Sequence, residues 1–198
     1  EAASVGRDTN LSRLIQTIAS QLPADTDNDN TKALAQSLAM SFPCPRMAKR
    51  IYLDVTATRK ADRKTGIERV TRALMLALMQ HPPAGYLAEP VYLQDQEQRI
   101  HYRHARRYTL EMLEHPHCEL PEDQVEPQQG DILLILDLSG QTLVDAQQSG
   151  LYESYRQQGV AVHAIVYDLL PVRMPEVFPP GAEHGHASWL KAISTLDG

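Results

Sequence analysis

Residues 54–69 read DVTATRKADRKTGIER, and the apolar run Ile51-Tyr52-Leu53 stands directly before them. A helix-patterned stretch follows. The order is therefore strand, basic loop, small-residue turn, helix start. Thr65 is placed to N-cap the helix, and Glu68, three residues on, to close a capping box. Gly66 lets the backbone approach a ligand closely. A helix N-terminus carries free N–H groups and positive partial charge. Arg59, Lys60, Arg63 and Lys64 add cationic side chains just before it. The combination suits a phosphate-bearing ligand. A solvated basic loop ahead of an ordinary capped helix would look the same.

Working outward, the texture on the C-terminal side is strand and helix in alternation. Ile51–Val55 reads as a short buried strand. Ile67, Val70, Leu74 and Leu78 mark one helical face that ends before Pro82-Pro83. Leu87–Leu93 is a weaker strand, because Pro90 interrupts it. Tyr102–Leu113 reads as a helix. The run ILLILDL from Ile132 is apolar on both faces, as in buried parallel sheets. Leu143–Gln157 reads as a helix, Val160–Val166 as another buried strand, and Ala187–Leu196 as a final helix. Alternating strands and helices imply right-handed βαβ units in an α/β, Rossmann-like, doubly wound parallel sheet. On the N-terminal side, Leu11, Leu14, Ile15, Ile18 and Leu22 fall at helical spacing, and Leu34, Leu38 and Phe42 suggest a second helix. Residues 1–46 thus read as a helical appendage or interdomain segment, and 47–198 as the α/β domain.

Composition narrows the classes. The chain has 198 residues, 42% hydrophobic and 22% charged, with a formal net charge of −6. That balance argues against a general nucleic-acid binder. Cys44 and Cys118 are too few for a disulfide framework and lack metal-site spacing, so reduced thiols in a cytoplasmic protein are the simpler expectation. The run Ile132–Leu136 is too short to span a bilayer. The start, EAASVGRDTN, lacks the apolar core of a signal peptide and has no initiator Met, as in an excised fragment.

In doubly wound sheets, ligands bind at the carboxyl ends of the strands. Four segments fall there: the loop after Val55, the tip Gln94–Arg99, Asp137-Leu138-Ser139-Gly140, and Tyr167-Asp168. Asp137 and Asp168 each end an apolar strand. Such carboxylates can hold sugar hydroxyls or act as a general base; equally, they can cap the next turn. His115 and His117 beside Cys118, and Glu183, His184 and His186, invite a metal reading. Neither group has zinc-motif spacing, and both read as ordinary residues of Pro/Gly-rich loops, so no metal is expected. His163, inside an apolar strand, reads as a core residue. The absence of G-x-S-x-G, a Walker loop and G-x-G-x-x-G counts against a standard hydrolase, an NTPase and an ordinary dinucleotide dehydrogenase.

Three segments, in order, resemble a known family. TGIERV is similar to the G-G-I-x-R-V element after the first strand of the retaining GT-B glycosyltransferases of family four. GDILLILDLS resembles a later strand. YDLLPVRMPEVF resembles H-D-L-x-P-x-x-x-P-E-x-F, which follows the next one, and is the most specific of the three. Together they cover about Arg50 to Gly198.

The resemblance implies the N-terminal, acceptor-side half of a GT-B fold, facing a C-terminal domain that holds the donor. That second domain, with its E-x7-E motif, is absent from this sequence and is the first partner implied. A nucleotide sugar is then the donor substrate, with no separate cofactor, and the acceptor is a glycan or lipid-linked glycan of a bacterial surface polysaccharide such as lipopolysaccharide. The full enzyme is expected in the cytoplasm, with peripheral association at the inner face of the cell membrane. The fragment alone is expected to be inactive. Carried over residue by residue, Asp168 matches the Asp of the H-D pair and is the catalytic candidate. Gly66 would approach the donor diphosphate, beside Thr65 and Arg69. Asp137 and Tyr167 complete the substrate side. Tyr167 stands where many relatives have His, and Thr65 where they have the first Gly. The rival readings are a non-catalytic Rossmann-like binding or interaction module and, third, a flavodoxin-type response domain.

Overall fold

A computed structural model of the chain describes residues 48–61, 65–96, 99–115 and 120–198. The helices expected in residues 1–46, and Arg63, Lys64, His117 and Cys118, lie outside the described residues. The elements are β1 (Lys49–Asp54), α1 (Thr56–Lys60), α2 (Gly66–Gln80), β2 (Tyr86–Gln96), β3 (Arg99–His104), α3 (Arg106–Met112), β4 (Ile132–Ile135), α4 (Gln141–Gln148), α5 (Leu151–Gln157), β5 (Ala161–Ala164), α6 (Leu170–Arg173), a 3-10 turn (Pro175–Val177) and α7 (Ala182–Ile193).

The five strands form one sheet in the order β3-β2-β1-β4-β5. β1 runs parallel to both β2 and β4, and β4 runs parallel to β5. Only β3 is antiparallel, folding back from β2 as a hairpin. This is the expected α/β, Rossmann-like architecture with one reversed edge. Alternation along the central strands sends side chains to two cores. Tyr52, Val91, Leu93, Leu133, Ile135 and Val162 pack on one face against residues of α4, α5 and α7, including Leu143, Tyr152 and Trp189. Ile51, Leu53 and Val55 pack on the other with Met75 of α2 and Tyr108 of α3. Because both faces are covered, β1 and β4 read as continuous apolar runs rather than alternating ones.

Several boundaries differ from the sequence reading. Pro90 does not interrupt β2: it pairs opposite Leu53, and its carbonyl accepts from Ala105 N at 2.9 Å, so only its missing donor is lost. Tyr102 is in strand β3, not in a helix, because the hairpin register places it opposite Leu93. The helix that follows is correspondingly short. The expected helix 143–157 is two helices, broken where Gly150 adopts a left-handed φ of 80°. In α2 the buried face centres on Thr71 and Met75, and Val70 is 45% exposed. Val70 sits at the margin of the apolar arc, whose middle is taken by Thr71 because its hydroxyl donates to Leu136 O at 2.9 Å. Helix α7 starts at Ala182, so His184 and His186 are helical rather than in a loop.

Candidate functional site

β1 leads on to β2 on one side and β4 leads on to β5 on the other, so the strand order reverses between β1 and β4. A crevice at the carboxyl ends of these two strands is where doubly wound sheets take ligands. Here β1 ends in Asp54, and Asp137 follows β4 by two residues. Both are buried.

Asp54 is held by three donors. Oδ1 accepts from Thr56 N at 2.9 Å and from Thr56 Oγ1 at 2.5 Å. Oδ2 accepts from the Tyr102 hydroxyl at 2.7 Å, which in turn lies 3.3 Å from the Tyr152 hydroxyl. Burial nevertheless pushes the Asp54 carboxyl above its ordinary range, because these hydrogen bonds only partly offset desolvation. Burial and the Asp54 charge raise Tyr102 and Tyr152 in the same direction. Asp137 is 1% exposed. Its Oδ2 accepts from Thr58 N at 2.8 Å, while Oδ1 has no hydrogen-bond partner among the described residues. Burial first, and the nearby Asp54 charge second, push its carboxyl up to about 8. At neutral pH Asp137 is therefore mostly a neutral acid, able both to donate and to accept.

Tyr167 and Asp168 lie after β5. The Tyr167 hydroxyl donates to Leu136 O at 2.6 Å, placing its ring over the end of β4. Desolvation raises its pKa, with a smaller contribution from Asp137. Asp168 Oδ1 accepts from Leu170 N at 2.7 Å and so caps the turn into α6. Its carbonyl makes a 2.7 Å hydrogen bond with His186 Nε2. The other Asp168 oxygen makes no hydrogen bond among the described residues.

At the start of α2, Thr65 N donates to Glu68 Oε2 at 2.9 Å, which supplies the acidic half of the capping box. The first helical bond is Arg69 N to Thr65 O, so the N–H groups of Gly66 and Ile67 have no intrahelical partner. Thr65, Gly66 and Arg69 are exposed. Thr65 is extended at φ −68°, a conformation that needs no glycine. Gly66 does not have a positive φ, and a Cβ built on it meets nothing within 4 Å. What Gly66 offers is the open space beside it, not its conformational freedom. In the full-length protein, Gly66→Val should therefore leave the melting temperature within about 1 °C, since nothing is displaced and φ is ordinary. If a diphosphate occupies the open space, the donor KM should rise at least about tenfold. Calorimetric melting and donor titration read the two effects separately. A lowered melting temperature with unchanged KM would remove Gly66 from the site.

The basic loop is less free than its sequence suggests. Arg59 stacks over the Tyr92 ring, 3.6 Å from its centroid, and pairs with Glu122 Oε2 at 3.1 Å. The same Glu122 oxygen accepts from the Tyr92 hydroxyl at 3.0 Å. Arg59 thus ties α1 to the segment after α3, and its charge is already matched. Lys60 is exposed. A cavity of about 280 Å³, lined by Met79, Pro90, His104, Leu110 and Leu120 among others, contains none of the expected site residues. Among the described residues, no group of three His, Cys, Asp or Glu side chains is placed to hold a metal ion.

The structure brings Asp137, Tyr167 and the end of β4 together, with Thr71 and Tyr167 sharing the Leu136 carbonyl. It sets Thr65, Gly66 and Arg69 on an exposed helix start. The sequence reading missed Asp54, Thr56 and Thr58. The available signal was a carboxylate ending an apolar strand, the same signal that singled out Asp137 and Asp168.

Known bacterial glycosyltransferases resemble this chain. Two relatives from Escherichia coli, each described as serotype-specific mannosyltransferase WbdA, are 27% identical to it over 150 residues, 75% of this chain and 17% of theirs. A third of the same description and organism is 27% identical over 146 residues, 74% of this chain and 17% of its own. The chain thus spans about a sixth of the length of the curated relatives it matches. No protein-family model and no solved structure matches it. A match of 150 residues within 198 necessarily takes in the stretch from Asp54 to Asp137, and with it the carboxyl ends of β1 and β4.

Proposed function

We propose that the chain is the acceptor-side, Rossmann-like domain of a retaining GT-B glycosyltransferase of family four, which builds a bacterial surface polysaccharide from a nucleotide sugar. The observation that carries this reading is the resemblance, over three quarters of the chain, to the WbdA mannosyltransferases. It makes a mannosyl donor the first to test. Two features of the site support it. The N–H groups of Gly66 and Ile67, which have no partner among the described residues and lie beside open space, suit a donor diphosphate. Asp137, a buried acid that both donates and accepts, suits a sugar hydroxyl, which does the same.

In this reading the catalytic work is largely electrostatic. Negative charge develops on the leaving diphosphate, and the free N–H groups at the α2 N-terminus, with Arg69 on its first turn, stabilise it. Asp168 has one oxygen on the Leu170 amide and the other available to the acceptor or donor sugar. Tyr167, fixed on Leu136 O, orients the segment that carries Asp168. The donor wall of the cleft lies in a further domain of the full protein, which works in the cytoplasm against a lipid-linked or glycan acceptor at the inner face of the membrane. Among the described residues, no helix is long and apolar enough to cross a membrane.

The test is transfer by the full-length protein. With GDP-mannose and other nucleotide sugars, and an oligosaccharide acceptor, it should release nucleoside diphosphate and form a glycosidic bond whose anomeric configuration, read by NMR, matches the donor's. The 198-residue chain alone should release none. Transfer with inverted configuration would overturn the retaining assignment. No transfer from any nucleotide sugar by the full-length protein would leave the interaction-module reading in its place.

A further inference from the structure

Asp54 does more than end a strand. Its carboxylate is fully buried, and every hydrogen-bond partner it has is a neutral hydroxyl or amide. The titratable groups that face it are Tyr102 from β3, Tyr152 from α5 and Asp137 from beyond β4. Among the described residues, no cation is among them. A carboxylate buried without a cation is expensive, and an apolar side chain would serve stability alone at lower cost.

What the carboxylate does supply is direction. Thr56 gives Asp54 both its amide and its hydroxyl proton, and the same hydroxyl oxygen accepts from Leu93 N at 2.8 Å. One oxygen atom therefore joins the end of β1, the start of α1 and strand β2. Helix α1 has no side-chain cap at its N-terminus. It is held at its first residue by Asp54 and at its third by Asp137 through Thr58 N. Two buried carboxyl groups from adjacent strands thus grip one short turn, at the place where the strand order reverses.

We propose that Asp54 is a positioning residue for a ligand taken at the carboxyl ends of β1 and β4, acting through Thr56 to fix α1 and the start of the first βα connection in the binding geometry. The inference rests on the glycosyl-transfer reading and extends it to residues outside the ligand's reach. Thr56 is the better probe, because replacing it leaves the buried carboxylate in place.

The experiment compares Thr56→Val and Thr56→Ser in the full-length protein, with GDP-mannose and the other nucleotide sugars as donor probes. Thr56→Val removes the shared hydroxyl and should raise donor KM about tenfold or more, with a smaller change in kcat. Hydrogen exchange at the amides of residues 56–60 should quicken in parallel. Thr56→Ser keeps the hydroxyl and should restore KM to within about twofold. A merely structural contact would lower the melting temperature of Thr56→Val and leave KM unchanged, and that result would overturn the proposal. Should Thr56→Val not fold, Thr56→Ala removes the same hydroxyl with less bulk, and an unchanged KM in that variant would overturn the proposal equally. A wild-type protein that uses no nucleotide sugar sinks the transfer reading and this inference together, and shows itself before any substitution is made.

Discussion

In the full-length protein, Asp168→Asn is expected to lower kcat/KM by roughly 100-fold or more, the scale of a lost acid–base or charge-stabilising group. The side chain has two separable duties. One oxygen caps the turn into α6 through Leu170 N, at 2.7 Å. The other makes no hydrogen bond among the described residues and is the one the proposed substrate contact would use. Asparagine is nearly isosteric, and its carbonyl can take over the Leu170 amide. The turn should therefore survive with a loss of no more than about 1 kcal/mol. The second position becomes an amide, which carries no charge and cannot accept a proton. Steady-state kinetics beside a melting curve separate the duties. Near-normal kcat/KM with a lowered melting temperature would leave Asp168 as a turn cap and nothing more.

The capping role of Asp168 was legible in the sequence as an alternative to a sugar contact, because an Asp after an apolar strand and before Leu-Leu-Pro fits both. The central strands were legible in outline from the apolar runs at Ile51 and Ile132, since a strand covered on both faces shows no polar alternation. Strand β3 was not. Its residues, RIHYRH, carry polar side chains at an edge, and only the hairpin from β2 fixes their pairing. The same limit applies to the site. Asp137 could be singled out because it follows a conspicuous strand. Asp54 follows one equally apolar, yet its importance comes from Thr56, Tyr102, Tyr152 and Leu93, partners up to 98 residues away in sequence that only the folded sheet assembles. Arg59 shows the reverse. As sequence it reads as free charge beside a phosphate site, but Glu122 and the ring of Tyr92 already occupy it.

Asp137→Asn is expected to stabilise the 198-residue chain increasingly as pH rises. The Asp137 carboxyl is held at about 8 in the folded protein, against an ordinary 3.8, chiefly by burial and then by the Asp54 charge. Between those two values the folded state keeps a proton that the unfolded chain has released. Folding stability contributed by the neutral acid is therefore fully present below about pH 4 and is lost progressively as pH climbs through about 8. At about 1.36 kcal/mol per unit the whole window is worth at most about 6 kcal/mol. Asparagine has no such titration, and its carbonyl oxygen can still accept from Thr58 N. The two proteins should melt alike near pH 4. By pH 8 the variant should melt higher by about 5 °C or more, and the gap should level off beyond it. Circular dichroism melting across pH 4–9 reads this directly. A difference that does not change with pH would show that Asp137 ionises normally in the folded crevice. The neutral acid would then be lost as a hydroxyl-binding group, and Asp137 would remain only as the acceptor that holds Thr58 N and the α1 turn.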